Sequence, residues 1–185
     1  MEPQERTAWP AWATEEVRLV AADPAWAEHA NRLAAELRQL LHGWLRGPVV
    51  HVGSTAVAGL VAKPVIDLQA IAGDPATTVV ARNDALAGAS WFVVPRELDQ
   101  RPWRWFIVRT DTSGRHRLAH LHLMRPGEPR WHQQIAFRDA LRADPALARE
   151  YADLKTEAAR DHPHDRETYT EAKHAFIRGV LDRDR

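Results

Sequence analysis

A carboxylate in the middle of an apolar strand constrains this chain more than any other feature. The run Val65 to Ile71 reads as a buried strand interrupted by Asp67 and Gln69. Their spacing of two puts both side chains on one face. A carboxylate there is costly to bury unless it is paired or binds a metal. Ahead of it, Pro48 to Val52 is a short β-rich run that ends at Gly53, followed by Ser54 and Thr55. Glycine allows a sharp turn and a close approach to a ligand. A short helix over residues 54–60 would present its N-terminus to an anion such as a phosphate. Lys63 adds a positive charge, and Pro64 stops any helix. The stretch His51 to Ala70 is therefore expected to be strand, Gly-Ser turn, crossover and acid-bearing strand, with His51, Gly53, Ser54, Thr55, Lys63 and Asp67 near one point.

The rest of the chain supplies a frame for that unit. Asp23-Pro24 starts a helix, because Asp accepts free N–H groups and Pro suits the first helical position. Trp26, Ala30, Leu33, Leu37, Leu41 and Trp44 recur on one apolar face, and the helix should end near Gly43 or Gly47. Glu16 to Ala21 reads as a short strand. A second helix runs from Asp74-Pro75 to about Ala87. Trp91 to Val94 and Trp103 to Arg109 read as strands. Alternation on the latter puts Trp103, Trp105 and Ile107 on one face and Arg104, Phe106 and Val108 on the other. Arg117 to Met124 alternates cleanly, with Leu118, His120, His122 and Met124 on one face, and suits an antiparallel hairpin with 103–109. If it lies beside 65–71, His120 and His122 reach the pocket of Asp67. Trp131 to Ala143, Asp144-Pro145 to about Arg160, and Arg166 to Leu181 read as helices, the last two separated at His162-Pro-His164. The expected fold is α+β: a small mixed, mainly antiparallel sheet packed with helices. Residues 1–14 read as a flexible N-terminal arm and 15–185 as a single domain.

Composition narrows the function classes. The chain has 185 residues with 25 Lys+Arg against 25 Asp+Glu, so no net charge drives it onto nucleic acid or anionic lipid. It has no cysteine, which excludes disulfides, thiol catalysis and zinc-thiolate sites. No stretch is long and apolar enough to span a membrane, and the N-terminal residues are not a signal peptide, so a cytoplasmic protein is the default expectation. Eight tryptophans are mostly accounted for by core packing, with one able to stack on a nucleobase.

The stretch His51-Val-Gly-Ser-Thr-Ala-Val-Ala-Gly-Leu-Val-Ala-Lys-Pro-Val-Ile-Asp67 resembles the signature of the GrpB-like family, also known as UPF0157. Ala58 stands where that signature has proline. Asp23-Pro24-x-Trp26, His120-Leu121-His122, Phe137-Arg138-Asp139-x-Leu141-Arg142, Tyr151-x-x-Leu154-Lys155 and Tyr169-x-x-x-Lys173-x-x-Phe176-Ile177 extend the resemblance from about position 17 to 180. The family is placed in the nucleotidyltransferase-fold superfamily, whose pattern is hydrophobic-Gly-Ser, a gap, then Asp-hydrophobic-acid. Val52-Gly53-Ser54 and Asp67-Leu68 fit, but the second acid is Gln69.

The resemblance implies a metal-dependent transfer of a nucleoside monophosphate from an NTP to a small acceptor, with Mg²⁺ or Mn²⁺ bound at Asp67. Gly53 and Ser54 would hold phosphates, and Gln69, His120 and His122 would complete the metal and acceptor site. Lys63 and Arg101 would stabilise charge on the leaving phosphate. Arg138, Lys155, Arg166 and Lys173 would form a basic rim. Gln69 offers a carbonyl oxygen without charge. It therefore also admits a second reading, a degenerate pocket that binds a nucleotide or a coenzyme A precursor. That precursor is suggested because family members resembling this chain occur fused to dephospho-coenzyme A kinase. A third reading uses His120 and His122 as acid and base without an NTP.

Overall fold

The computed structural model describes Trp12, residues 18–161 and the backbone of 166–183, with side chains in the last helix from Lys173 onward. The expected arm over residues 1–14 lies outside the described residues except for Trp12, whose ring is 6.0 Å from the Arg117 guanidinium. The His162–His164 break and the side chains of Arg166 and Tyr169 also lie outside them.

The helices begin where acidic residues can accept free N–H groups. Asp23 Oδ1 accepts the Ala25 N–H at 2.8 Å just ahead of α1 (Ala25–Leu40). Asp74 does the same for Ala76 at the start of α2 (Pro75–Gly88), and Glu128 for Arg130 at α4 (Pro129–Ala143). Asp144 accepts from Ala146 and Leu147 at α5 (Pro145–Asp161). A four-residue helix α3 (Arg96–Asp99) was not expected from periodicity, and α6 (Arg166–Arg183) closes the chain.

The strands are β1 (Val50–Val52), β2 (Ile66–Ile71), β3 (Trp91–Val93), β4 (Trp105–Thr110) and β5 (Arg117–Met124). They form one sheet in the order β1-β2-β5-β4-β3. β2 and β5 run parallel, and the other three pairings are antiparallel. Of the expected strand over Glu16 to Ala21, residues 18–21 are described, and there a single bridge joins Val20 to Ala62. One sheet face carries Ile66, Leu68, Ala70, Ile107, Ala119, Leu121 and Leu123. It is sealed by Trp26, Ala30, Leu37 and Leu41 from the α1 segment and by Val79 and Leu86 of α2. Each fully buried Leu or Ile contributes about 1.5–3 kcal/mol. This layer fixes the sheet and so leaves the alternate side chains pointing the other way.

On that side, α4, α5 and α6 gather a second apolar cluster of Phe137, Leu141, Tyr151 and Val180 around Val57 and Leu60. The loop after β1 is thus gripped from the helical side. The helix expected over 54–60 is only one 3-10 turn, Ser54–Ala56, ended by extended Val57. It is too short for the helix-terminus argument to carry an anion site.

Candidate functional site

Register places the polar residues together. In the parallel β2–β5 pair, Asp67 lies beside His120 and Gln69 beside His122. His120 Nδ1 is 2.8 Å from Asp67 Oδ1, and His122 Nε2 is 3.8 Å from the same oxygen. The Arg104 guanidinium reaches His122 Nδ1 at 2.6 Å and also forks onto the Asp99 carboxylate.

These partners assign the protons. Arginine only donates, so His122 Nδ1 accepts and its proton sits on Nε2, facing Asp67. The Asp67 carboxylate accepts, so His120 is protonated on Nδ1, leaving Nε2 as a buried lone pair with no hydrogen-bond partner. Burial holds both imidazoles neutral: the His122 pKa is pushed down to about 4 by desolvation and then by Arg104, and His120 is lowered by desolvation. Burial alone would raise the Asp67 carboxyl. Hydrogen bonding to His120 and His122 outweighs it and holds Asp67 below the usual carboxylate range, hence ionised.

Aromatic rings wall this cluster. His122 stacks on Phe106 and on Trp103, each with ring centroids 5.5 Å apart, and Phe106 meets His120 edge-on. Strand alternation had put Trp103 with Trp105, on the opposite side. Trp103 instead lies in a turn before β4 begins, where the two-residue period does not apply.

The Gly-Ser turn leans directly on Asp67. Gly53 has φ +73° and ψ −172°, a conformation essentially only glycine adopts. A Cβ there would meet Asp67 Oδ2 at 2.6 Å. Next to it, Ser54 Oγ accepts from Lys155 Nζ at 3.1 Å, and Lys155 also donates to the Val61 carbonyl at 2.5 Å. Lys155 is only 1% exposed. Its pKa is pushed down to about 7, first by desolvation and then by the charge of Lys173. Lys173 is lowered to about 8 by desolvation, with Asp67 opposing and Arg101 reinforcing the shift. Ser54, Lys155, Lys173 and Asp67 therefore belong to one electrostatic neighbourhood, with exposed Arg101 at its edge. What the sequence suggested as a basic rim is, at Lys155, a buried amine.

Other expected residues are placed differently. His51 Nε2 is 2.9 Å from Thr55 Oγ1, so these two hold each other across the turn. Arg138 donates to the His51 carbonyl and to Asp139. Lys63 is half-buried in the loop before β2. Arg104 and Asp99, with side chains 5% and 4% exposed, are the members that sequence reasoning passed over in favour of Arg101. Asp99 lies in the unexpected α3, and only that turn brings the pair together.

Gln69 tests whether the donors present fit a divalent metal. It is fully buried, its Nε2 donates to the Trp131 carbonyl at 3.1 Å, and its Oε1 has no partner. A carboxylate cannot make that donation and would face a carbonyl oxygen instead. Magnesium prefers several oxygen ligands, carboxylates above all. Here Asp67 is already bonded to His120, Asp99 is taken by Arg104, and lysines stand nearby. Among the described residues no group of three or more His, Asp or Glu side chains is arranged to hold a metal ion. The set does not fit magnesium.

A mixed sheet with a Gly-Ser turn set against an acid-bearing strand defines a protein of the nucleotidyltransferase-like fold. The structure of Cid1 in complex with its short product ApU matches with a TM-score of 0.50 at 14% identity, covering 77% of this chain and 43% of that one, a likeness of fold alone. The family model for GrpB protein matches residues 16–183, and the chain belongs to the GrpB family. The UPF0157 protein PA4798 of Pseudomonas aeruginosa is 35% identical over 172 residues, 91% of this chain and 68% of that protein. The crystal structure of conserved protein GrpB from Enterococcus faecalis matches with a TM-score of 0.78 at 27% identity, covering 90% of this chain and 96% of that one. Among the described residues no helix is long and apolar enough to cross a membrane.

Proposed function

We propose that this protein binds a phosphate-bearing ligand of nucleotide type where the Gly53-Ser54 turn, Asp67, Lys155 and Lys173 come together. The observation that carries this reading is the buried Lys155 amine bonded to Ser54 Oγ, with a second lysine close enough to depress its pKa. Burying ammonium groups together is unfavourable. A phosphate entering the pocket would relieve that cost, and Ser54 would add a hydroxyl donor. Dephospho-coenzyme A belongs in the same ligand class, since it also presents phosphate and an adenine nucleotide.

A second reading, metal-dependent nucleotidyl transfer from an NTP to a small acceptor, is favoured by one observation. Asp67 is ionised, its side chain is 31% exposed, and it abuts the Gly-Ser turn. That reading would need Asp67 to hold Mg²⁺ or Mn²⁺ while bonded to His120, against the poor fit of the donor set, with Lys63 and Arg101 facing the leaving pyrophosphate.

Thermal stability against NTPs, NMPs and dephospho-coenzyme A, with and without Mg²⁺ or Mn²⁺, tests both. A ligand at ~100 times its Kd adds about 2.7 kcal/mol of stability. The binding reading expects a shift that is lost in Lys155→Met, and no shift with any phosphate compound sinks it. Pyrophosphate release from one NTP, requiring metal and lost in Asp67→Asn, would establish the transfer reading instead.

A further inference from the structure

Resting on the binding reading above, we infer that this pocket takes the phosphate groups of its ligand without a divalent cation, the counter-charge coming from Lys155 and Lys173, and that Gln69 is the residue that specifies this.

Three observations converge. First, Gln69 is used as a donor. Its amide nitrogen holds the Trp131 carbonyl at the start of α4, 62 positions along the chain. That bond ties the sheet to the helix that follows β5, so a second acid is excluded by packing as well as missing from the sequence. A carboxylate at this fully buried position would have no donor from Trp131 and would stand against its carbonyl. Second, Asp67 is committed. One oxygen accepts from His120, and the other lies against Gly53, where even a methyl group would approach to 2.6 Å. A hard cation recruited here would have only the lone pairs that His120 does not occupy and Gly53 does not crowd. Third, the positive charge that a metal would contribute is already part of the chain. Lys155 donates to Ser54 Oγ from α5, and Lys173 of α6 is close enough to lower the Lys155 pKa, while its own pKa, lowered by desolvation, is raised in part by Asp67.

The depressed lysines give this arrangement a second signature. Lys155, near half-protonated at neutral pH when the pocket is empty, would gain a proton as a phosphate enters. Binding would therefore be accompanied by proton uptake, and affinity would fall as pH rises through and above about 7.

Calorimetric titration of the full chain with inorganic pyrophosphate tests the inference, once in EDTA and once in excess Mg²⁺. The expected result is binding in EDTA with a Kd no weaker than in Mg²⁺, weakened at least tenfold in Lys155→Met. Titration in two buffers of different ionisation enthalpy should show net proton uptake near pH 8. Binding that requires Mg²⁺ would overturn the inference while leaving the binding reading intact. No binding in either buffer would overturn both. Gln69→Glu supplies an independent readout: a lowered Tm that Mg²⁺ does not restore is expected. A Mg²⁺-dependent rise in Tm for that variant, larger than for the unaltered protein, would contradict the claim that the packing excludes a metal site.

Discussion

Replacing Gly53 by alanine should damage the site and the fold together, by an amount that can be worked out. The residue sits at φ +73° and ψ −172°, where a non-glycine residue costs about 1–3 kcal/mol. The new Cβ would also stand 2.6 Å from Asp67 Oδ2 and 3.1 Å from Asp67 Cβ. Asp67 cannot withdraw freely, because it lies on a central strand and its other oxygen accepts from His120. Pushing it aside weakens a hydrogen bond to a charged group, worth about 1.5–3 kcal/mol. Together these predict a loss of roughly 3–5 kcal/mol, a Tm drop on the order of 10 °C for a domain of this size. Urea denaturation monitored by tryptophan fluorescence would read it. Gly47→Ala is the control, since no atom lies within 4 Å of the Cβ it would add. If Gly53→Ala proved no less stable than Gly47→Ala, the close approach of the turn to Asp67 would be wrong.

Two further predictions concern the buried charges. Unfolded Lys155 keeps its proton up to about pH 10.4, whereas in the folded protein it loses it near pH 7. Across that window the unfolded state binds more protons, so stability rises with pH. Relative to Lys155→Met, the native chain should gain ~1.6 kcal/mol between pH ~7 and ~8.5, the slope rising from half of ~1.4 kcal/mol per pH unit at the folded pKa toward the full value. The comparison with Lys155→Met largely cancels the same-signed contribution of Lys173, and a flat difference in denaturation free energy would refute the buried-amine geometry. Arg104→Met should cost about 3–5 kcal/mol by stranding the buried Asp99 carboxylate. Asp99→Leu in the same chain should recover much of the loss, and a double variant no better than the single would show that the pair is not coupled.

How much of this was legible depends on which physical rule governs each residue. Asp67, His120 and His122 lie on strands, and the two-residue period assigns their faces from sequence alone. Their convergence needed only the assumption that β5 lies beside β2, which the register bears out. The Asp-Pro helix starts were equally readable, because capping is local. Trp103 was misassigned because it precedes the strand, so its side chain follows a turn instead of the pleat. Arg104 was weighed and Arg101 preferred to it, because its partner Asp99 lies in α3, which has too few residues to show a helical period. Lys155 was readable as a positive group on α5, but its burial depends on Ser54 and Val61, about a hundred residues away in the chain. Gln69 shows the limit most clearly. A glutamine in place of an acid reads as a weakened metal ligand until the Trp131 carbonyl is seen at the other end of its amide.

The most direct test of the central claim is a crystal structure of the protein grown with pyrophosphate in the absence of divalent metal. The account predicts density beside the Gly53-Ser54 turn, with a phosphate oxygen ~2.8 Å from Lys155 Nζ. Pyrophosphate bound only away from Ser54 and Lys155, with that pocket unchanged, would contradict it.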